Sequence, residues 1–317
     1  MKIVYSGSGE FGIPCLEAIA ASRHELALVV TQPARSAGRG RKPCATAIAC
    51  WAERRSVVTF ESADLNRPAV MERIADQQPD VLLVIACGQK VGPLLVDLPS
   101  KAAINVHASL LPKYRGAAPI NWAIVNGEAV TGVSIITLAQ TIDAGDILAQ
   151  AETSIGCDET AGALHDRLAQ MAAPLLLETL SQIEAGSVAC RAQDDAAATP
   201  APKLTKSNGY LDFREPAEVL ERKIRGFWPW PGASAEYVSQ ETGKSTRVAF
   251  SQAEVIGGPR LSSWPPGALD DNLNVVCGRG RLRIRRIKPA GSGLMDFTDF
   301  VNGRATQPGD AFVTIGA

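Results

Sequence analysis

Along the first two-thirds of the chain, short apolar runs alternate with stretches of helical period. Lys2–Ser6 has the pattern of a strand, Phe11–Ala21 repeats its apolar residues at helical spacing, and Leu26–Gln32 returns to a strand pattern. Helical patterns follow at Ala45–Arg54 and Pro68–Gln77. Asp80–Cys87 is almost uninterruptedly apolar, as expected of a strand covered on both faces. Ala103–His107 predicts the next strand, and Ala118–Asn126 a helix with Pro119 in its first turn, where a missing N–H costs nothing. Gly132–Leu138 and Ile147–Ala151 read as strands, and Thr160–Ala185 as a long helix stopped by Gly186. This alternation predicts βαβ units around a parallel-rich sheet, an α/β Rossmann-like domain.

The pattern then changes. Asp194–Pro202 is rich in Ala, Asp and Pro and reads as a linker. Beyond it one helix is expected at Ala217–Ile224, after Pro216. Short β-like segments follow at Ala233–Val238, Arg247–Ile256, Gly267–Leu269, Leu273–Cys277 and Leu282–Ile287. Their spacing predicts a small C-terminal OB-like β-barrel. The expected division is therefore a domain over residues 1–190, a linker over 191–207 and a barrel domain over 208–317. A length of 317 residues suits two such domains. Composition narrows the class: 46% hydrophobic and 21% charged residues fit a soluble globular protein, and no apolar run is long enough to span a bilayer. Seven scattered cysteines, with no CxxC pair and an odd total, argue for reduced thiols rather than disulfides or zinc. With no signal-peptide pattern at the N-terminus, the expectation is a cytoplasmic protein without a metal or a membrane partner, acting as a monomer.

The candidate chemistry begins at the end of the strand Ala103–His107. Asn105 and His107 are two residues apart, so on a strand both side chains project to one face. In open α/β sheets, ligands gather outside the carboxyl ends of the strands, which is where this run ends. Ser109, Leu110, Leu111 and Pro112 then turn the chain into Lys113-Tyr114-Arg115-Gly116. Asp143, in Thr141-Ile142-Asp143-Ala144-Gly145-Asp146, follows another strand and can reach the same edge, with Asp146 as the weaker alternative. Taken singly, each piece has a structural reading: a strand end, a turn, an Asx-stabilised loop. Gly7, Gly9 and Gly12 also satisfy the G-x-G-x-x-G dinucleotide fingerprint. The carboxylate that should hold a ribose is missing, because the second strand ends in Thr31-Gln32-Pro33.

In combination, Asn105, His107, the run Ser109 to Pro112 and Asp143 resemble the signature of the formyltransferases that use 10-formyltetrahydrofolate. The resemblance covers nearly the full length. It is strongest to the branch that formylates methionyl initiator tRNA, through Thr31-Gln32-Pro33, the loop Arg35 to Lys42, Gly116 to Ile120 and Ile224 to Ala233. It implies that Asn105, His107 and Asp143 are catalytic. It also implies that Ser109, Leu110, Leu111 and Pro112 contact the folate, and that backbone near Ala86, Cys87 and Gly88 holds the pterin. The implied co-substrate is 10-formyltetrahydrofolate and the implied partner is methionyl initiator tRNA. The chemistry suits the residues. An amide N–H can bind a developing oxyanion, an imidazole can take a proton or donate to the oxyanion, and a carboxylate can orient the imidazole. The chain departs from the pattern at Ser8 and Gly9, at Ala34 and Ser36, and at Cys87, which affects pocket and loop shape and not the catalytic set.

Two basic features point to a nucleic acid. Arg35, Arg39, Arg41 and Lys42 lie in a glycine-containing loop that resembles the acceptor-stem loop of the family, with Arg39 as its main member. Arg279, Arg281, Arg283 and Arg285 alternate with Leu282 and Ile284, which predicts a single-signed arginine face. Lys203 and Lys206 extend the same track. Trp228 and Trp230, alternating with prolines, are read as packing residues. The rivals are a formyltransferase acting on an amino-sugar nucleotide or on glycinamide ribonucleotide, an RNA-binding protein with an inactive Rossmann-like domain, and a nicotinamide dehydrogenase.

Overall fold

The computed structural model describes residues 1–37, 42–257 and 263–316. They form two compact units. The first comprises Met1–Pro119, Val130–Ser154 and His165–Pro202, and the second Ile120–Ala129, Ile155–Leu164 and Lys203–Ala317.

The first unit is built on a seven-stranded sheet: β1 (Lys2–Ser6), β2 (Glu25–Thr31), β3 (Thr59–Glu61), β4 (Val81–Ile85), β5 (Ala102–His107), β6 (Val130–Thr137) and β7 (Ile147–Ser154), in the spatial order β7-β6-β5-β4-β1-β2-β3. Neighbours from β5 to β3 are parallel, while β6 pairs antiparallel with both β5 and β7. All five residues of β4 are buried, which explains its unbroken apolar sequence. Helices α1 (Ile13–Ala20), α2 (Ala47–Arg54), α3 (Pro68–Ala75) and α4 (Pro93–Val96) connect the parallel strands; α5 (Pro119–Val125) and α6 (Ala161–Ala185) come later in the chain. The Thr46 hydroxyl caps α2 by accepting from Ala49 N–H at 3.0 Å. Val4, Leu28, Val30, Val70, Ile74, Leu82 and Val84 pack together in a core on one side of the sheet.

The stretch expected as a linker carries structure of its own. Arg191 bridges Ile147, and Pro200–Ala201 pairs in parallel with Arg115–Gly116.

In the second unit, helix α7 (Ala217–Gly226) packs on an antiparallel sheet of β8 (Ala233–Val238), β9 (Ser245–Ile256), β10 (Val275–Val276), β11 (Arg281–Pro289), β12 (Met295–Asp296) and β13 (Ala311–Val313). The main path runs β10-β11-β9-β8-β13, with β12 on β11. Ala268 bridges Ala311 and Leu269 bridges Val275, which brings the ends together as a small OB-like barrel. Leu220 and Ile224 of α7, Phe213, Phe250, Ile287 and Phe312 fill its core. A last helix, α8 (Phe297–Arg304), places Phe297 and Phe300 in the same core. Phe227 is buried with its ring edge-to-face against Trp122. Because Phe227 takes that core position, Trp228 is half-buried and Trp230 is 52% exposed, so the packing expected of Trp230 is not found.

All seven cysteines are free thiols, three of them buried. Among the described residues, no helix is long and apolar enough to cross a membrane, and no cluster of three or more metal-ligating side chains occurs.

Candidate active site

Strand β5 delivers Asn105 and His107 to the carboxyl edge of the first sheet, and the hairpin between β6 and β7 brings Asp143 to them. Asn105 Nδ2 donates to Asp143 Oδ1 at 3.2 Å. His107 Nδ1 lies 3.5 Å from Asp143 Oδ2, and the same oxygen accepts the Gly116 N–H at 2.9 Å. The opposite ring nitrogen, His107 Nε2, donates to the Tyr114 carbonyl at 2.9 Å. A carbonyl can only accept, which assigns the proton to Nε2 and turns Nδ1 toward the carboxylate. His107 is buried, whereas Asn105 is half-exposed. One Asn105 amide hydrogen goes to Asp143, which leaves the other for a ligand. Asp146 is exposed and takes no part; its backbone N–H donates to the Thr137 hydroxyl at 2.9 Å.

The hairpin loop folds back so tightly that a Cβ on Gly145 would sit 1.7 Å from the Thr137 carbonyl oxygen. Gly116 is equally constrained, with φ at 128° and a Cβ position 2.5 Å from the Ala201 carbonyl oxygen. Three residues with side chains hold left-handed backbone at this edge: Ala86 (φ 47°), Tyr114 (φ 63°) and Asp143 (φ 56°). Each such residue costs about 1–3 kcal/mol and persists only where its surroundings hold it in place.

The turn after His107 is divided by burial. Ser109 and Leu111 are buried, and the Ser109 hydroxyl donates to the Lys113 carbonyl at 2.7 Å. Leu110 and Pro112 are half-exposed, so they are the members whose side chains can meet a ligand. Ser134 and Gln150 hold the turn from beneath: Ser134 Oγ donates to the Ser109 carbonyl at 2.7 Å, and Gln150 Nε2 donates to the Leu111 carbonyl at 2.9 Å. Ala86, Cys87 and Gly88 follow β4 along the same edge, where Gln32 Nε2 donates to the Cys87 carbonyl at 3.2 Å. Cys87 is buried against Ser6, and burial pushes its thiol up from its ordinary value.

The basic residues divide differently. Arg35 is exposed in the short strand Arg35–Ala37, which pairs with Lys42–Cys44; Arg39 and Arg41 lie outside the described residues, as does the side chain of Lys42. Lys203 and Lys206 are exposed. The arginine row departs from expectation because every member faces a carboxylate. Arg279 lies 3.5 Å from Glu218, and Arg281 3.3 Å from Asp270. Arg283 lies 3.9 Å from Glu254. Arg285 donates to both Glu254 oxygens at 2.8 and 2.6 Å. Those hydrogen bonds hold the Glu254 carboxyl below the usual carboxylate range. The face is an ion-pair ladder, because antiparallel pairing sets Glu254 of β9 opposite Arg283 of β11. Sequence alternation along one strand carries no information about the strand beside it.

Residues 1–180 match the sequence model of the formyl transferase family, and residues 203–305 that of the formyl transferase C-terminal domain. Methionyl-tRNA formyltransferase of Citrifermentans bemidjiense is 37% identical over 309 residues, covering 98% of this chain and 95% of its own. The enzyme of the same name from Methylococcus capsulatus is 38% identical, covering 96% and 97%. The chain belongs to the methionyl-tRNA formyltransferase family. Solved structures share the fold at lower identity. HypX from Aquifex aeolicus, solved with tetrahydrofolic acid, superposes with a TM-score of 0.61 at 15% identity; the match covers 97% of this chain and 48% of HypX, so the chain spans about half that protein's length. An N-formyltransferase from Helicobacter canadensis, solved with folinic acid and dTDP-3-aminofucose, superposes at 0.61 and 14% identity over 90% of this chain and 98% of its own. Membership of the methionyl-tRNA formyltransferase family removes the dehydrogenase reading of the Gly7–Gly12 loop.

Several side chains that build the site gave no usable signal in the sequence. Gln193, which donates to the Asp143 carbonyl at 2.8 Å, directly precedes the Ala/Asp/Pro-rich run, and Ser134 and Gln150 sit inside strands. Tyr114 acts through its backbone carbonyl, which any residue possesses.

Proposed function

We propose that this protein transfers the formyl group of 10-formyltetrahydrofolate to the α-amine of methionyl initiator tRNA. The observation that carries the reading is Asp143 set between Asn105 and His107 at the carboxyl edge of the sheet, in a chain similar over nearly its whole length to proteins named methionyl-tRNA formyltransferase. The half-exposed Leu110 and Pro112 and the backbone of Ala86 to Gly88 fit a folate-type donor: an apolar edge beside main-chain hydrogen-bonding groups. Residues 1–190 hold the chemistry; the tRNA meets residues 208–317 together with Arg35, Arg39, Arg41 and Lys42 of the first domain and Lys203 and Lys206 of the linker as phosphate contacts.

The formyl donor supplies HC=O to the amine nitrogen, and its own nitrogen leaves carrying a proton. Asn105 Nδ2–H binds the formyl oxygen as negative charge develops there. His107 takes the proton of the attacking amine at Nδ1. The imidazolium that results is held between the Tyr114 carbonyl and the Asp143 carboxylate, and it gives that proton to the leaving folate nitrogen as the tetrahedral intermediate collapses.

The test is formylation by purified protein with three competing acceptors: methionyl initiator tRNA, free methionine and an amino-sugar nucleotide. Formyl-methionyl-tRNA as the sole product is expected. Product on the sugar alone would keep the catalytic set and overturn the acceptor, and no product on any acceptor would overturn the reading.

A further inference from the structure

Asp143 is held by contacts from outside its own loop. Gln193 Nε2 donates to the Asp143 carbonyl at 2.8 Å and to the Gly145 carbonyl at 2.7 Å. Both amide hydrogens are used on the backbone that sets the left-handed turn. Gln193 Oε1 accepts from Arg115 Nε at 3.1 Å and from Nη2 at 2.9 Å, and Arg115 Nη2 also donates to Asp195 at 2.7 Å. The guanidinium fixes which way the amide faces, since only the oxygen can meet five donors and only the NH2 can meet two carbonyls. Neighbouring contacts tie the same strap to the site. Tyr114 N–H donates to the Thr199 hydroxyl at 2.9 Å, and Arg115 N–H to the Thr199 carbonyl at 2.9 Å. None of the hydrogen bonds of Gln193 goes to Asn105 or His107.

We propose that Gln193, aimed by Arg115, is a positioning residue for the reaction: it locks the Asp143 loop so that the carboxylate bridges Asn105, His107 and the Gly116 N–H. The proposal rests on the formyl-transfer reading of this site. Residues 191–201 then serve as a strap over the catalytic loop. A left-handed Asp143 freed from Gln193 relaxes toward ordinary backbone, and its carboxylate swings away from His107. Binding surfaces elsewhere are untouched, so the loss falls on turnover.

The experiment uses the full chain as wild type, Gln193→Ala, Gln193→Glu and Asp143→Asn. Glutamate keeps the Arg115 contact and turns an oxygen on the two carbonyls, so it separates the two sides of the residue. Both Gln193 variants are expected to lose kcat on the order of 10- to 100-fold, with KM for folate and tRNA within about twofold. A second readout does not depend on activity. The chain holds three histidines, so the His107 ring can be assigned by NMR from single substitutions. At one fixed pH, its ring nitrogen chemical shifts should move in the same direction in the Gln193 variants as in Asp143→Asn, and by less. A kcat within twofold of wild type, a loss that tracks the unfolded fraction, or unmoved His107 ring signals overturn the proposal. Wild type inactive on every acceptor overturns the functional reading instead, and the His107 ring signals still decide whether Gln193 holds Asp143.

Discussion

At the scale of single residues, the site separates two roles that one strand end brings together. Asn105 and His107 share a face of β5, with Asn105 the more exposed; His107 is buried, with Nε2 spent on the Tyr114 carbonyl and Nδ1, 3.5 Å from the Asp143 carboxylate, left to take a proton. Asn105 is therefore the direct contact to the reacting oxygen, and His107 and Asp143 form a proton-handling pair behind it. Removing a single oxyanion donor costs about 100- to 1000-fold in rate. Asn105→Ala is expected to lose that much kcat across the whole pH range. Asp143→Asn keeps the shape and removes the charge opposite Nδ1, so it should lower kcat and also alter the shape of the pH–rate profile. Filter binding should give both variants wild-type affinity for methionyl initiator tRNA within about twofold. Equal pH profiles for the two variants would contradict this division, and a loss of tRNA binding in either would move the residue out of the catalytic set.

At the scale of elements, what the sequence made legible depended on whether the signal was local. β4 and β5, α1 to α3 and the long helix α6 (Ala161–Ala185) announce themselves through periodicity, and the Asn105 and His107 pair follows from strand geometry alone. Asp143 was within reach because its loop follows a strand that joins the same sheet. The strand Thr59–Glu61 is only three residues long, and α8 interrupts its pattern with Asn302 and Gly303, so neither stands out. Contacts across the chain left no trace: Gln193 on the Asp143 loop spans 50 positions, and Glu254 on Arg285 spans 31. The second of these changes what the arginine row can do. If tRNA phosphates bind β11, they compete with Glu254 for Arg283 and Arg285. Glu254→Gln should then tighten tRNA binding roughly two- to fivefold at low salt. It should also steepen the log–log salt dependence by about one unit. Binding titrations over a KCl series check both. An unchanged affinity and slope would mean that this strand is a structural ladder and that tRNA is held elsewhere.

At the scale of the whole molecule, each compact unit buries a thiol that no mechanism uses, and this fixes a limit on alkaline stability. Cys15 lies in α1 of the first unit and Cys277 beside β10 of the second. Burial pushes each thiol up from 9.0 to about 12, because the thiolate loses its hydration inside the core. A group whose folded pKa is raised contributes its full stability below the unfolded value and loses it as pH climbs toward the folded one. The window is therefore about pH 9 to 12. At pH 10 the unfolded chain ionises each thiol in preference, which costs about 1.4 kcal/mol per thiol, one in each unit. Urea unfolding under reducing conditions at pH 7.5, 9 and 10 should show the midpoint fall over the upper two values. Cys15→Ala and Cys277→Ala each remove one ionising group. Each should start from a lower midpoint at pH 7.5, because a buried sulfur is lost, and each should fall less steeply above pH 9. If unfolding resolves into two transitions, Cys15→Ala should flatten one and Cys277→Ala the other. Slopes identical to wild type in both variants would show that the alkaline loss arises from groups other than these thiols.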